Sequence, residues 1–210
     1  MVTGMFQKPE NALPVTRLGR QFERKAIRIR QFAGAGYLEP LDPFELAAKI
    51  GLRVVSLDEL RSLSPEVRFH LTEVDVNGWS GGASPVLPDG SRVVILNPKQ
   101  SRTRHSATLM EEICHVLLGH KADRLGVAQS SGAHRDYEEE REREAYGVGA
   151  AALVPYHALL GWLEKGQTTS EIARRYGVSR KLVEYRFKIV GLWQKLKESS
   201  SIEKHSNERH

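Results

Sequence analysis

The stretch Thr108-Leu109-Met110-Glu111-Glu112-Ile113-Cys114-His115-Val116-Leu117-Leu118-Gly119-His120 decides how this chain is read. The pattern around it predicts a helix from roughly Arg102 to Leu118. At about 100° per residue, Glu111 and His115 fall one turn apart on the same face, so a carboxylate oxygen and an imidazole nitrogen can converge on one ion. Glu112 projects beside them, where a carboxylate can take a proton from an activated water and pass it to a leaving amine. Two donors on one helix do not complete a site. A third is available on the next helix, expected from Glu138 to Leu153, where Glu142 and Glu144 precede the small-residue run Ala145 to Ala152 that permits close packing on the first helix. His120 lies about 140° around the helix from His115 and reaches the same ion only if the helix ends at Gly119. It suits the support of a ligand better than ligation itself.

A purely structural reading competes. A Glu-Glu pair on a helix is commonly a solvated face, and His115 among Ile113, Val116 and Leu117 suits a core histidine bonded to a backbone carbonyl. Cys114 reads as a small residue where two helices approach, and nothing orders a histidine and a carboxylate for thiol chemistry. Arg102 and Arg104 either neutralise the acidic cluster or face solvent.

Outward from this centre, Leu18, Phe22, Ala26 and Ile29 form one stripe of an amphipathic helix from Arg17 to about Phe32. Residues 1–16, with Pro9 and Pro14 and no apolar period, are expected to be a flexible arm. Asp42-Pro43 reads as a cap and first position of a short helix through Ile50, ended by Gly51. Extended runs at Leu52 to Leu57, Leu71 to Val76 and Arg92 to Leu96, the last two separated by Gly, Ser and Pro with Asp89-Gly90, predict a small antiparallel sheet. After a helix over Tyr156 to Glu164, the capping box from Thr168 to Glu171, the turn at Gly177 and the cap Ser179 outline a helix-turn-helix unit within 166–193. If that unit meets DNA, Arg180, Lys181 and Glu184 face base edges while Arg174, Arg175 and Arg186 meet phosphates. Residues 194–210 hold little to bury and are expected to be disordered.

With 210 residues and 40% hydrophobic content, the chain can build one core, placed at 17–165, with a small appended module. No run approaches the ~20 apolar residues of a membrane span, and the N-terminus lacks a basic start followed by an apolar block, so the expectation is a cytoplasmic protein without a membrane partner. The single cysteine excludes an internal disulfide. A net charge of +5 permits nucleic acid or an acidic partner without demanding either. The basic residues gather in Arg17 to Arg30 and Arg174 to Lys197, around an acidic middle at Glu138 to Glu144.

Two segments together carry a family resemblance. Arg104 to His120 resembles the R-x-x-x-x-x-x-H-E-x-x-H-x-x-x-x-H helix of ImmA/IrrE-type zinc endopeptidases, and Glu142 to Pro155 resembles the E-x-E-A-N-x-F-A-x-x-L-L-M-P segment that follows it. The likeness spans about residues 40–165 and rests on the pair rather than on either segment. It implies an α+β, zincin-like minimal metallopeptidase domain followed by the helix-turn-helix. It also implies that His115 is a zinc ligand, Glu112 the general base and Glu142 the third protein ligand, with Glu111 standing where the family has its first histidine. Glu144 is an alternative ligand, and His120 and Arg104 are supporting residues. The family's typical substrate is a helix-turn-helix repressor cut in a stress or mobile-element response. Tyr146 stands in place of the usual asparagine. A Glu111, His115, Glu142 set cancels the charge of a zinc ion, weakens its acidification of water, and shifts preference toward manganese or iron. Two functions follow: a metallo-endopeptidase with a variant E-E-x-x-H helix, and a catalytically inactive, metal-free relative that regulates through protein or DNA contacts.

Overall fold

The computed structural model describes residues 13–60, 63–84, 86–120 and 132–198. Helix α1 (Arg17–Ala33) starts at Thr16, whose Oγ1 accepts from the Gly19 N–H at 2.9 Å, and it buries Phe22, Ala26 and Ile29. Helix α2 (Pro43–Lys49) is capped as its sequence demands: Asp42 Oδ1 accepts from the Phe44 N–H at 2.8 Å, with Pro43 in the first turn. Strand β1 (Leu52–Val55) and a 3-10 turn (Leu57–Glu59) lead to the short helix α3 (Pro65–Phe69) and a π turn (His70–Val74). Strands β2 (Gly81–Ala83) and β3 (Arg92–Leu96) precede α4 (Arg102–Leu117), α5 (Gly132–Leu153), α6 (Tyr156–Glu164), α7 (Thr169–Tyr176) and α8 (Arg180–Val190).

The class is α+β, mostly helical, but two expectations about the sheet fail. The sheet is mixed rather than antiparallel: in the order β1-β3-β2, β1 runs parallel to β3 with Leu52 opposite Arg92, and β2 runs antiparallel with Gly81 opposite Leu96. The long connection from β1 to β3, which includes α3, lets β1 return in the parallel sense that a tight hairpin forbids. The expected strand at Leu71 to Val76 is replaced by the end of a helical segment, and the second strand comes from the glycine-rich stretch after it. Ser64 and Pro65 start α3, with Ser64 Oγ accepting from the Val67 N–H at 3.3 Å. No residue of α3 or the π turn is buried, so the alternation at 71–76 has no covered face to enforce a strand.

Helix α5 is the spine, packed on both α4 and α1. A Cβ on Gly147 would lie 2.2 Å from the Phe22 ring, and one on Gly149 would lie 3.4 Å from Met110. The small-residue run therefore does what its sequence suggests: it brings α5 against two helices at once and sets Glu142 and Glu144, one turn earlier, beside α4.

The last helices share this core. Thr168 and Glu171 form the capping box, Gly177 turns the chain at φ 61°, and Ser179 Oγ accepts from the Leu182 N–H at 3.2 Å. Ile172, Tyr176, Leu182, Val183, Phe187 and Val190 are buried in the same cluster as Phe22 and Leu153. Arg186 is wholly buried: its Nη2 donates to Glu23 Oε2 at 2.6 Å and its Nε to the Val154 carbonyl at 2.9 Å, while Glu23 Oε1 accepts from the Tyr156 N–H at 2.7 Å. Arg186 is thus not placed to meet phosphates; it bolts α8 to α1 and to the α5–α6 junction. Of the expected arm, residues 1–12 lie outside the described residues, and the Val15 N–H donates to the Val190 carbonyl at 3.3 Å. Of the expected tail, 199–210 lie outside the described residues; 193–198 are helical and Leu196 is buried. No described helix is long and apolar enough to cross a membrane.

Candidate functional site

The N-cap Ser101 accepts from the Arg104 N–H at 3.3 Å and starts α4, whose buried face holds Leu109, Met110, Ile113 and Cys114. The opposite side of these turns leaves Glu111, Glu112 and His115 half-buried toward α5. His115 Nε2 faces Glu142 Oε1 at 3.4 Å. His120, beyond the helix end, comes back: its Nδ1 lies 3.1 Å from His115 Nδ1 and its Nε2 3.1 Å from Glu144 Oε2. The turn that does this ends α4 at Leu118, with Gly119 at φ 71° and the His120 N–H donating to the His115 carbonyl at 2.9 Å.

A cavity of about 400 Å³ opens here, lined by Ala83 and Ser84 at the end of β2, Arg92 of β3, Glu112, His115, Val116 and His120 from α4 and its end, and Glu138, Arg141 and Glu142 of α5. Of the residues singled out in the sequence, Glu112, His115, His120 and Glu142 therefore share one cleft. Glu144 touches it through His120. Glu111 does not line it, and Arg104 lies elsewhere, donating to Ser80 Oγ from Nε at 3.1 Å and Nη2 at 2.6 Å. Among the described residues, no three His, Cys, Asp or Glu side chains converge at metal-ligand spacing. Arg180 Nε pairs with Glu184 at 3.0 Å on the surface of α8, and Lys181 is exposed.

The electrostatics of the cleft are unbalanced. Burial first, then repulsion from Glu142 and from Glu112, pushes the Glu111 carboxyl up to about 7, with Arg104 opposing. Burial and then Glu142 push Glu112 up to about 7 as well. Burial holds the His115 imidazole below its ordinary value and outweighs Glu142. Burial pushes Glu144 up too, but hydrogen bonds from Lys25 and His120 outweigh it and hold that carboxyl below its usual range. Cys114 is fully buried and burial pushes its thiol far up, which leaves it a packing residue rather than a nucleophile.

The sequence reading missed Lys25, whose Nζ donates to Glu144 Oε1 from α1, and the strand-end residues Ser84 and Arg92. Lys25 sits beside Ala26 at the edge of the apolar stripe of α1, a faint signal; nothing local marks Ser84 or Arg92.

A comparison with curated proteins finds no significant match. Among solved structures, a Mycobacterium tuberculosis transcriptional regulator superposes with a TM-score of 0.50 at 16% identity, covering 80% of this chain and 46% of that one, and so shows a shared fold. The present chain spans less than half of that protein's length. The profile of the peptidase M78 family, described as the IrrE N-terminal-like domain, matches residues 47–188, from α2 to the last turns of α8. That match takes in both cleft helices and most of the chain, and the protein belongs to the IrrE N-terminal-like family.

Proposed function

We propose that this protein is a metal-dependent endopeptidase of the ImmA/IrrE type acting on a peptide segment of another protein. The observation that supports the reading best is the face-to-face placement of His115 and Glu142 in a cleft that also holds Glu112. The donor chemistry fits a divalent cation by charge: Glu111 and Glu112 are driven toward neutrality by burial and by Glu142, a penalty that a bound cation removes. His115 and Glu142 would hold the ion; Glu111, which lies off the cleft lining, is the third protein donor by its place in the motif rather than by its position. When bound, the ion supplies Lewis acidity and lowers the cost of negative charge on the scissile carbonyl oxygen. Glu112, beside that ion in the same cleft, suits a general base that takes a proton from the attacking water and returns it to the leaving amine. The outer edge of β2, beside Ala83 and Ser84, offers backbone groups along which an extended substrate can add as a strand. Resemblance supplies the substrate class, a helix-turn-helix repressor, and the sequence expectation of a cytoplasmic protein supplies the place of action.

A second reading is favoured by the absence, among the described residues, of a converged three-donor group, together with Glu111 lying off the cleft lining. It is a catalytically inactive relative that regulates through protein or DNA contacts, with α7 and α8 as a helix-turn-helix and Arg180, Lys181 and Glu184 toward bases. The solved relative's description as a transcriptional regulator agrees with it.

Metal content decides between them. Purified without chelator, the endopeptidase holds stoichiometric zinc, manganese or iron, loses it in His115→Ala and Glu142→Ala, and cleaves a co-expressed repressor. No stoichiometric metal under any loading condition overturns the enzyme. If Glu111→His then creates zinc-dependent cleavage absent from the parent, the inactive relative is the right description.

A further inference from the structure

A continuous row of polar contacts joins the cleft to α1, an element outside the metal-binding motif. Lys25 Nζ donates to Glu144 Oε1; His120 Nε2 lies 3.1 Å from Glu144 Oε2; His120 Nδ1 lies 3.1 Å from His115 Nδ1; and His115 Nε2 lies 3.4 Å from Glu142 Oε1. We propose that Lys25, Glu144 and His120 are positioning residues that hold His115 as its Nδ1–H tautomer, with the Nε2 lone pair open toward Glu142 and the cleft. This rests on the reading of His115 as a metal ligand and extends it to residues that touch no ion.

The direction of every proton in the row follows from its first member. At about pH 8 an ordinary carboxyl is ionised and can only accept, so Glu144 accepts from the Lys25 ammonium at Oε1 and has an acceptor left at Oε2. The proton between Glu144 and His120 therefore belongs to His120 Nε2. A neutral His120 is then an acceptor at Nδ1, and His115 Nδ1 must donate to it. The second nitrogen of His115 is left without a proton, facing a carboxylate oxygen. Two acceptors 3.4 Å apart repel unless a cation or a proton lies between them. An unconstrained neutral histidine favours the opposite tautomer, so the row does work that α4 cannot do alone. It is also well shielded: the His120 side chain is 8% exposed and ring-packed edge-on against His115 at 5.1 Å. The rival assignment, a doubly protonated His120 donating to both neighbours, would put the proton on His115 Nε2 and close the site to an ion.

Imidazole nitrogen resonances of the metal-free, full chain, labelled with 15N-histidine at about pH 8, above the ordinary histidine value of about 6.5, separate the two. The proposal expects His115 protonated at Nδ1 and bare at Nε2. Glu144→Leu and His120→Phe should move His115 to mostly Nε2–H. Lys25→Met, at a side chain 41% exposed, should produce a weaker shift in the same direction. The zinc affinity of Glu144→Leu should fall roughly 10- to 100-fold. A parent with His115 protonated at Nε2, or a tautomer unchanged in both Glu144→Leu and Lys25→Met, overturns the proposal. A parent that shows the expected tautomer yet binds no zinc supports the row and overturns only the endopeptidase; one that cleaves but carries the Nε2 proton does the reverse.

Discussion

Glu23 and the pair Glu111 and Glu112 lie on helices of one core, and their fates differ. Glu23 is wholly buried and saturated, accepting from Tyr156 and Arg186, with Arg186 also donating to Val154. Glu111 and Glu112 are half-buried, accept no hydrogen bond from any described residue, and sit near a third carboxylate that pushes both up. A carboxylate given a fixed cation of its own belongs to the scaffold. One half-buried near like charges, as Glu112 is at the cavity, is relieved by a positive charge brought close to it. The difference separates two environments among acidic residues that look alike in sequence.

The harshest way to break this contrast is to remove one half of the buried pair. Glu23→Ala leaves the Arg186 guanidinium buried without its counter-charge and should cost about 3 to 5 kcal/mol in denaturant unfolding. The double change Glu23→Leu with Arg186→Met should cost much less, because no orphan charge remains. If Glu23→Ala unfolds no more readily than the parent, the pair is not the bolt described.

Glu111 and Glu112 should respond to pH instead. An acid with a folded pKa above its unfolded one binds more protons folded than unfolded between the two values, so stability falls as pH rises through that window. For Glu111 and Glu112 the window runs from 4.5 to about 7. His115, held below its ordinary value, works the other way over part of it, so the comparison must be with a variant rather than with pH alone. Glu111→Gln with Glu112→Gln should stabilise the metal-free protein above pH 7 by on the order of 3 kcal/mol and flatten the slope. A parent whose unfolding free energy does not decline across that window has no such strain. In the same state, saturating divalent ion should raise the midpoint of the parent and not that of the double variant.

Gly147 tests how the site is held rather than charged. Gly147→Ala forces the Phe22 ring aside and should cost about 1 to 3 kcal/mol while loosening the approach of α5 to α1. If stability is unchanged, the close approach matters less than the geometry indicates.

Local chemistry made the helices legible: Asp42-Pro43, Thr168 with Glu171, and Ser179 are caps whose partners lie two or three residues away, and each is found in place. So was the approach of His115 to Glu142, which helical spacing and the small-residue run of α5 bring to 3.4 Å. The sheet was harder. Leu71 to Val76 alternates like a strand, yet alternation selects a strand only when one face is covered, and here none is. The parallel pairing of β1 with β3, Lys25 behind Glu144, and Arg92 in the cleft all depend on elements far apart in sequence, where no local pattern records them.

A third acidic residue marks the weak end of the scale. Glu184 pairs with Arg180 one turn away on α8, with the Arg180 side chain 65% exposed, so solvent screens the pair and side-chain entropy offsets much of its attraction. Arg180→Ala should change unfolding free energy by no more than about 0.5 kcal/mol. Arg186, six residues on along the same helix, should cost several-fold more when replaced by alanine, because its partner Glu23 is then left charged and buried. Equal losses at the two arginines would mean that burial does not decide the strength of these pairs. A small loss at Arg180 would leave that side chain thermodynamically free to exchange Glu184 for a nucleic-acid partner, and duplex binding that persists at moderate salt but disappears in Arg180→Ala would then identify α8 as a reading helix.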